Sequence, residues 1–173
     1  MKSLEQQLVQ YAMYHRDNRN IKTHLVGVPL IVFAVIMMTY VPLFDFSGLT
    51  VTVAMLLIAM AGGYYFILSP TIGLVMVLLL ILGYLGAFSI YQNLSSDMTV
   101  NWAFYGLGAG LFVIGWIIQF VGHYFEGKKP AFVDDLIGLL IGPLFVLTEV
   151  LFKLGFLKNL EDKIIGQAGA YRN

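Results

Sequence analysis

"LVGVPLIVFAVIMMTYVPLF" (residues 25–44) runs for about twenty residues without a single charge. A helix needs roughly 20 apolar residues to cross the ~30 Å hydrocarbon core of a bilayer. Three more stretches of the same kind follow, at 49–68, 71–91 and 102–121. Between Lys22 and Lys128 there is no lysine or arginine, and the only acids are Asp45, Asp97 and Glu126. Only 12% of the 173 residues are charged, against roughly 25% in a soluble domain. A water-soluble core of this size cannot bury so long an uncharged stretch. The pattern therefore predicts an all-α, polytopic membrane helix bundle with four transmembrane helices.

The flanks add two elements. Ser3 followed by Gln6 fits a capping box, and Leu4, Leu8, Tyr11 and His15 form one stripe, so residues 3–16 read as an amphipathic surface helix ended by "DNRN" (17–20). Within the spans, Pro29 falls in the first turn of the first, "SP" (69–70) makes a tight connection between the second and third, and Gly106, Gly108 and Gly110 suggest close helix contact in the fourth. A fifth apolar stretch, 131–152, opens with Asp134 and Asp135, carries Gly142-Pro143 and ends near Glu149. Four spans return the chain to its starting side. Lys2, Arg16, Arg19 and Lys22 then share a face with Lys128 and Lys129, which the positive-inside rule makes cytoplasmic. Lys153, Lys158, Lys163 and Arg172 stay on that face if 131–152 re-enters, with a break at Gly142-Pro143. A full fifth span is the alternative.

The expected organisation is one membrane domain over 1–173: a cytoplasmic helix and turn (1–24), four spans (25–121), a loop and re-entrant helix (122–157) and a cytoplasmic tail (158–173). Cysteine is absent, which excludes disulfides, thiolate metal sites and thiol catalysis. Net charge is zero and no basic arm is interleaved with aromatics, so nothing points to nucleic acid. The first 24 residues are too polar for a secretory signal.

All three histidines border apolar segments: His15 at the end of the surface helix, His24 at the start of the first span, His123 at the end of the fourth. An even number of spans puts them at one interface. Imidazole nitrogen suits iron, zinc and copper, and three histidines can build a mononuclear site. Taken singly, an interfacial histidine is tolerated for its apolar body and polar edge; taken together beside carboxylates, the three favour a joint site. Gln119 at i−4 and Glu126 at i+3 share the helix face of His123, with Gly127 and Pro130 as stops. Glu126 is a candidate ligand, or a carboxylate that orients an imidazole. Glu149 reads either as an ion pair with Lys153 or as part of the site. Lys128 and Lys129 read as topology determinants beside anionic lipid or as contacts for an acidic head group. Tyr11 and Tyr14 read as interfacial anchors.

The segments "YHRDNRNIKTHLVGVP", "IGWIIQFVGHYFEGKKPAFVDDL" and "GPLFVLTEVLFKLGF" resemble the 2-hydroxy fatty acid dioxygenases, a small membrane family whose fungal members act in phytosphingosine degradation. The shared pattern comprises Tyr14, His15, Asn20, His24 and Pro29, then Gln119, Phe120, Gly122, His123, Glu126, Pro130 and Ala131. The family pattern sets its glutamate one residue further from the histidine than Glu126 stands here, about 100° around a helix. The three histidines are therefore the firmer transfer.

The resemblance implies an Fe(II)-dependent dioxygenase. It would use molecular oxygen to shorten a 2-hydroxy fatty acid by one carbon at the cytoplasmic membrane interface, releasing the carboxyl carbon. His15, His24 and His123 would be its ligands and catalytic centre. Lys128, Lys129 and Arg16 would meet the substrate carboxylate, with Asn20, Gln119 and Glu149 around the ligands. The acyl chain would stay among the helices.

Three other readings remain on the residues alone: a zinc-dependent lipid hydrolase, a b-type haem protein using two histidines, and a scaffold or transporter without metal. A bacterial inner membrane is the expected location, with the endoplasmic reticulum membrane as the alternative.

Overall fold

Ser3 opens the first helix as expected. Its side chain accepts from the Gln6 N–H while the Gln6 side chain accepts from the Ser3 N–H, a reciprocal capping box. The computed structural model describes residues 2–94, 100–130 and 137–172. Among these the elements run α1 (Leu4–Ala12), α2 (Asn18–Met38), β1 (Pro42–Phe46), β2 (Leu49–Thr52), α3 (Val53–Leu68), α4 (Pro70–Leu94), α5 (Trp102–Glu126), α6 (Gly138–Lys153) and α7 (Lys158–Ala168).

Several boundaries differ from the hydropathy pattern for identifiable reasons. "DNRN" starts the next helix rather than merely ending the first. The Asp17 carboxylate accepts from the Arg19 N–H at 2.8 Å, an N-cap contact, and α2 begins at Asn18. That places Pro29 inside α2 rather than in its first turn. The end of the first apolar stretch and the start of the second leave the helices and pair as an antiparallel hairpin, β1–β2, which the bundle expectation lacked.

Gly142-Pro143 does not break the fifth segment: α6 runs through it to Lys153. The break falls between α6 and α7, which are bent by 117°. There Gly155 takes a left-handed φ of 86°. The Phe156 N–H reaches Leu151 O and the Gly155 N–H reaches Phe152 O, a Schellman stop. Asp134 and Asp135 lie outside the described residues.

α2, α4 and α5 are long and apolar enough to cross a membrane; the bent pair α6–α7 makes a fourth candidate if it counts as one span. α3 is apolar but has only 16 residues, about 24 Å of helix. Leu78 and Leu82 of α4 stand 57% and 65% exposed, and Val113 and Ile117 of α5 55% and 57%. Apolar helices whose outer faces are also apolar associate with lipid. Where four spans were expected, the described helices thus give three, or four with the bent pair counted as one.

The chain packs into two compact units, one of residues 1–29 and 115–173 and one of residues 30–114. In the second, α3 packs on α4 after the Ser69 turn, where a side chain at Gly73 would meet backbone atoms of Phe66 at 2.7 Å. Its core gathers Met37, Tyr40, Tyr91 and Phe104, and the Tyr105 hydroxyl donates to Tyr40 O at 2.7 Å. Of the three glycines read as contact points, only Gly108 faces a neighbour among the described residues, with Met37 3.1 Å from where its Cβ would stand. In the first unit, α1 lies on α6 and α7 around buried Leu8, Ala12, Leu144, Phe145, Phe152 and Ile164. That unit holds all three histidines.

Candidate metal centre

Three separate segments supply the three imidazoles. His15 is in the loop between α1 and α2, His24 is in the second turn of α2, and His123 is in the last turn of α5. All are buried, at 0%, 2% and 7% exposure. Ring centroids lie 4.4 Å (His15–His24), 5.0 Å (His15–His123) and 5.1 Å (His24–His123) apart, and each pair is nearly perpendicular. One ring nitrogen of each lies within 4.8 Å of the others.

Hydrogen bonding fixes which nitrogens face inward. His15 Nδ1 is 2.8 Å from Tyr11 O, and His24 Nδ1 is 2.9 Å from Asn20 O. A carbonyl only accepts, so each Nδ1 carries the proton and each neutral ring presents a lone pair at Nε2. Burial, then the adjacent His24 ring, holds His15 well below the ordinary imidazole range, so it is neutral at pH 7. The two Nε2 atoms are 3.0 Å apart. Two lone pairs at that distance repel unless a cation stands between them. Metal–nitrogen bonds of about 2.0–2.1 Å converging at roughly a right angle give that separation.

His123 adds the third donor. Its Nδ1 is one of four buried side-chain atoms without a hydrogen-bond partner among the described residues; the others are Asn20 Oδ1, Gln119 Nε2 and Arg16 Nη2. Buried polar atoms are nearly always paired, and each exception calls for an explanation. Here Arg16 follows His15, Asn20 stands one turn before His24, and Gln119 stands one turn before His123. The three-imidazole donor set, with His123 Nδ1 unpartnered, fits a divalent transition metal; Gln119 Nε2 and Arg16 Nη2 are N–H donors and ligate nothing.

Glu126 is not among the converging ligands. Its Oε2 accepts from the backbone N–H of Arg16 (2.9 Å) and Asp17 (2.8 Å) and from Asn20 Nδ2 (3.1 Å). This carboxylate, from the end of α5, ties down the loop that carries His15. Asn20 bridges Glu126 and Tyr14 O through its amide, while its own carbonyl holds His24.

Arg16 is buried and spends its guanidinium on Ala12 O, His15 O and Gly169 O, with Glu149 at 3.8 Å. Glu149 is thus paired with Arg16 and the Tyr171 hydroxyl, a partnership the Lys153 reading missed. Gln119 is buried against Gly27, where an added Cβ would lie 2.5 Å from Nε2. Lys128 and Lys129 are exposed just past α5, and the Lys128 ammonium donates to Met13 O at 2.8 Å.

Tyr11 is the residue sequence reasoning misplaced. It is no interfacial anchor: its ring is buried and stacks on His15 at 4.1 Å with 2° between planes, and its carbonyl holds Nδ1. The usable signal was spacing, since Tyr11/His15, Asn20/His24 and Gln119/His123 all stand at i, i+4.

Close approach of α2 and α5 makes the cluster possible. A Cβ on Gly122 would lie 2.0 Å from Thr23 Oγ1 and 2.5 Å from Asn20 Oδ1. Gly122→Ala is therefore expected to push α2 from α5, destabilise the fold by about 1–3 kcal/mol and weaken metal binding. Thermal melting and metal titration of the variant check this; parent-like values in both would refute the packing account.

A family model described as "2-hydroxy-palmitic acid dioxygenase Mpo1-like" matches residues 1–154. The 2-hydroxy-palmitic acid dioxygenase MPO1 of Saccharomyces cerevisiae is 34% identical over 161 residues, which cover 91% of this chain and 85% of the yeast protein. No solved structure matches the chain significantly.

Proposed function

Because the chain belongs to the Mpo1-like family of 2-hydroxy-palmitic acid dioxygenases, we propose that it is an Fe(II)-dependent membrane dioxygenase that shortens 2-hydroxy fatty acids by one carbon. The observation that carries this reading is the pair of Nε2 lone pairs 3.0 Å apart with His123 beside them. His15 and His24 would hold the metal through Nε2, and His123 through its ring nitrogen. Iron is preferred to zinc because the yeast relative is named a dioxygenase and zinc has no redox chemistry. When bound, Fe(II) supplies a redox-active Lewis acid that works with molecular oxygen.

The chain's own residues do the rest. Tyr11 O and Asn20 O lock the His15 and His24 tautomers and aim their lone pairs. Tyr11 and Phe145, packed on His15, keep that side of the site dry. The three imidazoles would hold the metal and leave the hydroxyl and carboxylate of the substrate to complete the site. Lys128 and Lys129, exposed within six residues of His123, suit the approach of that carboxylate from the basic face, which we assign to the cytoplasm. Arg16 donates to carbonyls through Nε and Nη1 and faces Glu149 through Nη2 at 3.8 Å, so we give it a holding role.

The haem alternative fits less well. The three imidazole centroids lie only 4.4–5.1 Å apart and each pair of rings meets edge to face, which leaves no room for a macrocycle between any two of them.

The test is an assay of the detergent-purified, Fe(II)-loaded protein with 2-hydroxypalmitic acid. The expected result is oxygen uptake matched to formation of the fatty acid one carbon shorter, with none under nitrogen. Oxygen-independent ester or amide hydrolysis supported by zinc would replace this reading with the hydrolase.

A further inference from the structure

His15 is the one ligand of the three outside a helix, so its place depends on how the loop before α2 is closed. The segment after α7 returns to that loop. The Arg172 N–H donates to Arg16 O at 2.7 Å, and the Asn18 N–H donates to Arg172 O at 2.8 Å, a short parallel bridge around Asp17. The Arg172 guanidinium pairs with Glu126, whose carboxylate is fully buried and already holds the Arg16 and Asp17 amides. One residue earlier, the Tyr171 ring lies 4.6 Å from the Arg16 guanidinium, and its hydroxyl donates to Glu149. Gly169 O accepts from Arg16 Nη1 at 3.2 Å. Every one of these contacts is directed at residues 16–18 or at the two acids that face them.

We propose that Tyr171 and Arg172 form a strap that positions His15, so that the metal centre is completed by a segment lying beyond the family match at 1–154. This rests on the reading of the three histidines as metal ligands. Ligand distances tolerate only about ±0.2 Å, so a loop freed to shift by an ångström loses its donor. Tyr171 and Arg172 are positioning residues: the bridge fixes the backbone on either side of Asp17, and the guanidinium completes the acceptor contacts of Glu126.

The test is a Co(II) titration of the full-length protein, reading the visible d–d band, whose energy and intensity report ligand number and geometry. Arg172→Ala is expected to weaken Co(II) binding by about 10–100-fold and to shift the band, while the metal-free protein keeps its helical circular dichroism. Arg172→Lys, which keeps the charge and the backbone bridge, is expected to recover most of the affinity. Lys163→Ala severs only the pair between α7 and Glu5 of α1 and is expected to match the parent. If Arg172→Ala loses helicity, Arg172→Gln takes its place under the same criteria.

Parent-like affinity and spectrum in the Arg172 variant would overturn the strap while leaving the metal centre standing. Equal loss in Lys163→Ala would also overturn it, since any loosening of α7 would then suffice. A parent that binds no Co(II) would overturn the reading beneath it.

Discussion

Replacing His15, His24 or His123 by alanine is expected to abolish oxygen-dependent turnover one at a time, with losses beyond the roughly 100-fold typical of a residue that only supports a ligand. Each imidazole comes from a different segment, and among the described residues no other side chain joins the cluster to substitute. Glu126 is spent on amides, and Glu149 faces Arg16 and Tyr171. The metal-free fold should survive. Removing either Nε2 ends a contact between two lone pairs, and removing His123 deletes a buried Nδ1 that has no hydrogen-bond partner among the described residues, so each change offsets part of its own cavity cost. Circular dichroism and melting in detergent, run beside the activity assay, separate loss of chemistry from loss of fold. A fully active single variant would remove that residue from the site.

Glu126→Ala is expected to act the other way, on the fold first. The side chain is wholly buried, and its loss strands the Arg16 and Asp17 N–H groups and takes one acceptor from the Asn20 amide, while the half-exposed Arg172 guanidinium turns to solvent. Leaving two buried amide donors without an acceptor, at about 1–3 kcal/mol each, costs about 3–5 kcal/mol together. At about 2–4 °C per kcal/mol for a chain of this length, the metal-free protein should melt roughly 6–20 °C lower. Were Glu126 a ligand instead, its loss would spare the metal-free melting temperature and reduce only the gain on adding metal. Paired melts with and without Fe(II) therefore decide between the two roles. Glu126→Gln, which keeps one acceptor, should fall between.

How much of this could be read from the sequence differs by feature. The bundle of apolar helices was visible because hydropathy and length are direct consequences of bilayer thickness. The helix ends were not, because hydropathy marks where lipid is tolerated rather than where hydrogen bonding starts. Asp17 caps α2 within a polar first turn that no apolar count includes. The β1–β2 hairpin hid in residues apolar enough to prolong two spans. Its turn at Ser47-Gly48, both with φ above zero, was the sign that the helices stop there. Gly142-Pro143 misled for a related reason: Pro143 removes one N–H early in α6, which the helix absorbs, whereas "LGF" (154–156) forms the actual stop.

For the site, the three histidines stood out through scarcity and the parity of the spans. The carbonyls of Tyr11 and Asn20 carry no side-chain signature beyond their i−4 spacing. The return of Tyr171 and Arg172 is a contact across more than a hundred residues that no local pattern encodes.

The central claim is that His15, His24 and His123 hold one metal ion. The measurement that tests it most directly is the metal content of the detergent-purified protein, prepared without oxygen and reconstituted with Fe(II), for the parent and for His123→Ala. The account predicts close to one iron per chain in the parent and a large loss in the variant. Parent protein that retains no iron, or a variant that retains as much as the parent, would contradict it.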